Sequence, residues 1–148
     1  MRQVVLPLFV LLASCVPMVT VTQPEVEIVV TDGLGAPIAD AIVNFASQLY
    51  GPDGSTDFVK IRTDQSGVAR LDRKSYIQFA VLIVDGVASY GWSYCIEKAG
   101  FEPAVRNHLD KKYFKDSLVR VSLARSDSVG SCTWNEDWRG DFYSAATR

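Results

Sequence analysis

From Glu25 onward the chain is cut into short β-branched and aromatic runs by turn clusters, and no long segment keeps the 3.6-residue period of an amphipathic helix. Such a pattern confines the fold to β-sheet. Strands are expected over Val26–Thr31, Ala41–Ser47, Phe58–Thr63, Val68–Leu71, Ile77–Val84, Trp92–Lys98 and Leu118–Leu123. Turns are expected at Asp32-Gly33-Leu34-Gly35, Gly51-Pro52-Asp53-Gly54, Asp64-Gln65-Ser66-Gly67 and Asp85-Gly86, where glycine supplies positive φ and Asp or Ser bonds neighbouring backbone. Seven short strands in about 100 residues imply an all-β, seven-stranded antiparallel sandwich in which each sheet buries one face.

Strand periodicity also assigns faces. Val119, Val121 and Leu123 share one side, as do Trp92, Tyr94 and Ile96, so Cys95 points away from Ile96 and out of the core. The run Ile77–Val84 is apolar at nearly every position and is expected to be buried on both faces or covered by the C-terminal tail. No internal repeat is visible.

Ahead of the strands, Arg2 supplies a charged start, Val4 to Leu12 an apolar stretch, and Ala13-Ser14-Cys15 small residues ending in a thiol. This order resembles a bacterial lipobox, whose cysteine receives a diacylglyceryl group and becomes the first mature residue. Residues 1–14 then form a lipoprotein signal peptide, and residues 15–24 a lipidated N-terminus with a short tether. Two alternatives stand beside it. One is a transmembrane helix, which Pro7, Ser14, Pro17 and Thr20 would interrupt; the other is ordinary secretory cleavage after Cys15. The lipoprotein resemblance implies a bacterial cell-envelope location, with the membrane as a partner through the lipid. Val16, in place of Asp at the second mature position, implies the outer membrane in preference to the inner.

Three cysteines occur in the chain. Once Cys15 is assigned to lipid, or lost by cleavage, Cys95 and Cys132 remain as an even pair. In an oxidising envelope they are expected to form a disulfide, with two unpaired thiols as the alternative. The bond would lie outside a sheet and strap the tail across it. Closing that loop is worth on the order of 4 kcal/mol in the chain-entropy model. Two cysteines and the single histidine, His108, fall short of a four-ligand zinc site.

Hydrophobic residues make up 48% of the chain and charged residues 22%, the balance of one globular domain with one core. A net charge of −2 gives no electrostatic case for nucleic acid. The basic stretch Lys111-Lys112-Tyr113-Phe114-Lys115, set between Asp110 and Asp116, reads as a solvated loop face in preference to a phosphate-binding patch.

Four segments in order carry a family resemblance. Val30-Thr31-Asp32-Gly33-Leu34-Gly35-Ala36-Pro37-Ile38-Ala39-Asp40-Ala41-Ile42-Val43 is followed by Thr63-Asp64-Gln65-Ser66-Gly67-Val68-Ala69, by Glu97-Lys98-Ala99-Gly100-Phe101-Glu102-Pro103 and by Val119-Arg120-Val121-Ser122-Leu123. Over residues 25–124 the chain resembles the carboxypeptidase regulatory-like domains, which implies a transthyretin-like (prealbumin-like, Ig-like) sandwich. Such domains are usually noncatalytic accessory or adhesion-like modules. Gly35 and Gly67 permit tight turns and Pro37 fixes φ at a strand entrance, so these residues build scaffold. The insertion Gln48–Asp57, the segment Arg106–Ser117 and the tail 125–148 depart from the simplest form of the family, the tail being expected to pack on or beside the sandwich.

Candidate chemistry is sparse. His108, within Asn107-His108-Leu109-Asp110, is expected to be a surface or packing histidine and not a general base. Hydroxyisourate hydrolases and intradiol dioxygenases share or border on this architecture, yet the histidine sets that they need are missing. Asp32, Asp40, Asp53 and Asp57 lie near turns, where bonding to local backbone is favoured over calcium binding. In the tail, Trp134 and Trp138 flank Asn135-Glu136-Asp137; with Tyr90 they are the candidate binding residues, able to cover a sheet, dock a partner or stack on a sugar. Arg139-Gly140-Asp141 spells an integrin-type tripeptide and is read as a chance match. The expected function is a noncatalytic, membrane-anchored envelope lipoprotein that binds another envelope component, protein or glycan, without catalytic residues, cofactor or metal. A carbohydrate-binding module is the alternative, and a metal- or carboxylate-dependent enzyme a more distant one.

Overall fold

The computed structural model describes residues 15–50, 54–81, 89–127, 129–135 and 140–147, and these contain eleven strands and no helix. In chain order they are β1 (Cys15–Gln23), β2 (Val26–Asp32), β3 (Ile42–Tyr50), β4 (Thr56–Arg62), β5 (Val68–Leu71), β6 (Lys74–Val81), β7 (Ser89–Glu97), β8 (Ala104–Leu109), β9 (Leu118–Leu123), β10 (Val129–Asn135) and β11 (Asp141–Thr147). A three-stranded sheet of order β5-β2-β9 faces a four-stranded sheet of order β4-β3-β7-β8 across one core. Two further pairs, β1-β6 and β10-β11, are attached to this sandwich.

Alternation builds the core. Val26, Ile28 and Val30 of β2 meet Val43 and Phe45 of β3 and Trp92, Tyr94 and Ile96 of β7, all of them buried, while Val119 and Leu123 close the side at β9. Fully burying a side chain of this size contributes roughly 1.5–3 kcal/mol, so these period-2 faces supply most of the drive to fold. The faces inferred for Trp92, Tyr94, Ile96 and for Val119, Val121, Leu123 are the observed ones.

Four expectations need correction. Eleven strands occur in place of seven, because β8 runs into the start of the segment read as a departure from the family pattern, β10 and β11 form in the tail, and the segment read as a tether is strand β1. The sandwich is not wholly antiparallel: β2 and β9 run parallel, since the loop after β8 returns the chain to the end where β2 begins and Glu27 N donates to Ser117 O at 2.9 Å. The described part of Ile77–Val84 belongs to β6, which pairs with β1 and not with the core sheets. Ile77 and its cross-strand partner Val19 are each 64% exposed, so neither double burial nor tail cover holds there; both neighbour positions on β7 are filled by β3 and β8.

Turn chemistry fixes how the sheets connect. Asp32 Oδ1 accepts from Leu34 N and Ala36 N, both at 2.9 Å, and Asp64 Oδ1 accepts from Ser66 N, Ser66 Oγ and Val68 N. Gly67 has φ +74 and lies against β2, where an added Cβ would come within 2.6 Å of Val30 O. Asp53 and the rest of its turn lie outside the described residues, as do residues 1–14 and Asp85-Gly86. The loop after β8 is anchored by Phe114, which is buried and meets Phe45 and Trp92 edge-on at ring separations of 6.0 and 5.7 Å. Next to it Tyr94 and Tyr113 share a 2.9 Å hydroxyl contact; burial, and then the Tyr113 hydroxyl, pushes the Tyr94 phenol above its ordinary range.

Gly67→Ala combines a left-handed backbone with a clash against backbone oxygen, and is expected to cost about 2 kcal/mol or more in denaturant unfolding. A second expectation concerns acid. Asp32 is held below the usual carboxylate value by the amides of Ala36 and Leu34, and Asp64 by the Ser66 hydroxyl and the Val68 amide. Their stabilisation is therefore complete above the unfolded-state value of about 3.9 and is lost as pH falls through the lower folded-state values. Unfolding midpoints should hold between pH 7 and pH 5 and fall below about pH 4, with a shallower fall in Asp32→Asn/Asp64→Asn.

Candidate functional site

The outer face of the four-stranded sheet is where the chain places its unusual chemistry. Positions of β7 that alternate with Trp92, Tyr94 and Ile96 point outward, and Cys95 among them is bonded to Cys132 of β10, with Cα atoms 5.9 Å apart. The expected disulfide and the expected strap across the sheet are both present. Beneath the β10-β11 hairpin, Ala46, Cys95 and Phe142 form a second buried cluster, with Val105, Cys132 and Trp134 packed against it. Cys132 N also donates to Glu97 Oε2 at 2.7 Å. Strand β7 is thus buried on both faces along most of its length.

A β-bulge organises the polar side of this face. Trp92 pairs with Leu109 and Tyr94 with Arg106, so Asn107 and His108 stand opposite Ser93 alone. The extra residue twists β8, and His108 adopts φ +55, a conformation that non-glycine residues seldom take. Both bulge side chains are turned to use. Asn107 imitates a neighbouring strand, its amide donating to Phe142 O at 2.9 Å while its oxygen accepts from Phe142 N at 3.0 Å. The His108 ring sits between Tyr50 of β3 and Asp141 of β11: Nδ1 is 3.2 Å from the Tyr50 hydroxyl and Nε2 is 2.6 Å from Asp141 Oδ1. The approach to Asp141 lacks hydrogen-bond alignment.

The arrangement Tyr50–His108–Asp141 was not legible in the separations 50, 108 and 141, because only the bulge and the folded-back hairpin bring the three together. It sets the imidazole between a hydroxyl and a carboxylate, one beside each ring nitrogen. It also brings β3, β8 and β11 together at one point.

The candidate residues fall on different sides of the molecule. Trp134 is half-buried and boxed by Phe58 and Phe142, with ring separations of 5.1 and 4.8 Å and near-perpendicular planes. Tyr90 lies on the inner side of the same sheet, against the main core, and hydrogen-bonds Tyr76 of β6; burial, and then Tyr76, raises its pKa. Tyr90 and Trp134 therefore do not make one stacking platform. Trp138 lies outside the described residues, and Cys15 opens β1. Among the described residues no three His, Cys, Asp or Glu side chains converge to hold a metal ion, and no helix is long and apolar enough to cross a membrane. No family model, curated protein or solved structure matches the chain.

Asn107→Ala removes both hydrogen bonds to the Phe142 backbone and leaves two polar groups under the hairpin. With the disulfide intact, the variant is expected to lose about 1–3 kcal/mol in denaturant unfolding, and an unchanged midpoint would contradict the clasp.

Proposed function

We propose that this chain is a noncatalytic, lipid-anchored module of a bacterial envelope, built on a transthyretin-like sandwich that resembles the carboxypeptidase regulatory-like domains, and that it holds another envelope protein at its surface. The division of the cysteines carries this proposal. Cys95 and Cys132 are bonded to each other, which leaves Cys15 for the lipid that Leu12-Ala13-Ser14-Cys15 calls for. An intramolecular disulfide suits the same oxidising compartment. Acyl chains on Cys15 would contribute about 0.8 kcal/mol per buried methylene. They would join the sandwich through β1, whose nine residues span roughly 30 Å as a paired strand and hold the domain off the bilayer.

Strand β4 supplies the docking edge. It pairs with β3 on one side and ends the sheet on the other. Phe58, on its outer face beside Trp134, is 54% exposed. A partner segment laid along this edge would gain backbone hydrogen bonds from β4 and apolar contact from the aromatic pair.

In a bacterial host, Cys15→Ser is expected to shift the protein from the membrane to the soluble fraction. A photo-crosslinker at Lys60 is expected to capture a neighbour that is lost in Phe58→Asp. Retention of Cys15→Ser in the membrane contradicts the anchor, and a neighbour indifferent to Phe58→Asp contradicts the edge.

A further inference from the structure

At the base of the β1-β6 arm, on the side away from the disulfide, lies a cleft of about 610 Å³. Its floor is apolar and fixed: Trp92, Phe114 and Pro24 are all buried, and the Trp92 indole N–H donates to Thr22 O at 2.8 Å. Its rim is basic. Lys111, Lys112 and Lys115 line it from the loop after β8, and Arg73 lines it from the approach to β6. Glu25 is the carboxylate in the lining, so cations outnumber it. Among the described residues, none of the four cations forms an ion pair.

The lysines are placed there by the fold. Asp110 Oδ1 accepts from Lys112 N at 2.9 Å and from Tyr113 N at 3.3 Å, which coils the loop, and the seating of Phe114 in the core then aims its neighbours around the opening. Lys111, Lys112 and Lys115 are exposed, as expected of a solvated loop face, and they share the cleft lining with Arg73 from a distant part of the chain. A concave site with one dominant sign of charge and low-dielectric walls concentrates its field on whatever enters. An apolar floor under that field favours a body with little polar surface.

We propose that this cleft binds a phosphorylated small molecule whose phosphate is held by Lys111, Lys112, Lys115 and Arg73 while its uncharged body rests on Trp92 and Phe114. The site is independent of lipidation at Cys15 and of the β4 edge. The same chemistry is offered by a free phosphate ester and by the head group of an acidic phospholipid.

Calorimetric titration of the purified chain separates these sources. Glycerol 3-phosphate and dihexanoyl phosphatidic acid, the latter below its micellar concentration, are the probes. Saturable binding is expected, with amide shifts at Lys111 to Ser117 and a shift of the Trp92 indole N–H resonance. Lys112→Ala/Lys115→Ala, which alters exposed side chains and should leave the unfolding midpoint unchanged, is expected to weaken binding at least tenfold. A phosphatidic acid affinity ten or more times that of glycerol 3-phosphate assigns the site to a lipid head group; equal affinities assign it to a free phosphate ester. Absence of binding by both probes, undiminished binding in the double variant, or equal binding of uncharged dihexanoylglycerol would overturn the proposal.

Discussion

Cys95 sits where three layers of the molecule meet. Its strand, β7, has Trp92, Tyr94 and Ile96 turned into the core between the sheets, while its own sulfur faces the other way and is joined to the β10-β11 hairpin. A strand with one wet face would lose little if the hairpin left. Here the outer side carries Ala46, Cys95 and Phe142 as a closed apolar cluster, so removing the hairpin exposes surface that has no other cover. The disulfide restrains the unfolded chain, and in the folded chain weaker bonds stand around it. Those bonds are the double clasp of Asn107 on Phe142 and the contact of His108 with Asp141, each made by a residue of the β8 bulge.

The molecule is thus a sandwich with two appendages that differ in how they are held. The hairpin is fastened by a covalent bond, a buried cluster and polar clasps. The arm of β1 and β6 is fastened chiefly to itself, and its cross-strand pair Val19 and Ile77 is exposed. Where the arm meets the sandwich, the loop of Lys111 to Lys115 closes over Trp92 and leaves the basic cleft. The cleft thus shares Val21 with the arm and Trp92 with the core sheet.

Much of the sandwich was legible in the residues. Period-2 alternation in Val26–Thr31 and Leu118–Leu123, together with aspartate-glycine turns, reports one buried face directly, and these strands lie where expected. The outward direction of Cys95 follows from the same alternation, which is why the strap could be anticipated. Apolar composition does not say which neighbour a strand pairs with, so Ile77–Val84 reads as a core strand whereas its described part pairs with β1. Parallel pairing of β2 with β9 depends on the path of the loop between β8 and β9, which leaves no periodic signal. The polar cluster was hidden for a related reason. A bulge is set by pairing register, and nothing in Asn107-His108-Leu109-Asp110 marks it. Trp134 stands out in the tail as an aromatic, but its ring neighbours Phe58 and Phe142 are not adjacent to it in sequence, so its packing leaves no local signal.

Hydrogen exchange on the native chain, before and after gentle reduction of the disulfide, tests most directly whether the tail is a clamped cover on an otherwise complete sandwich. Reduction is predicted to expose the amides of β10 and β11 to rapid exchange while β2, β3, β7 and β9 stay protected. Unchanged protection of the hairpin, or a loss of protection spread evenly over all the strands, would contradict it.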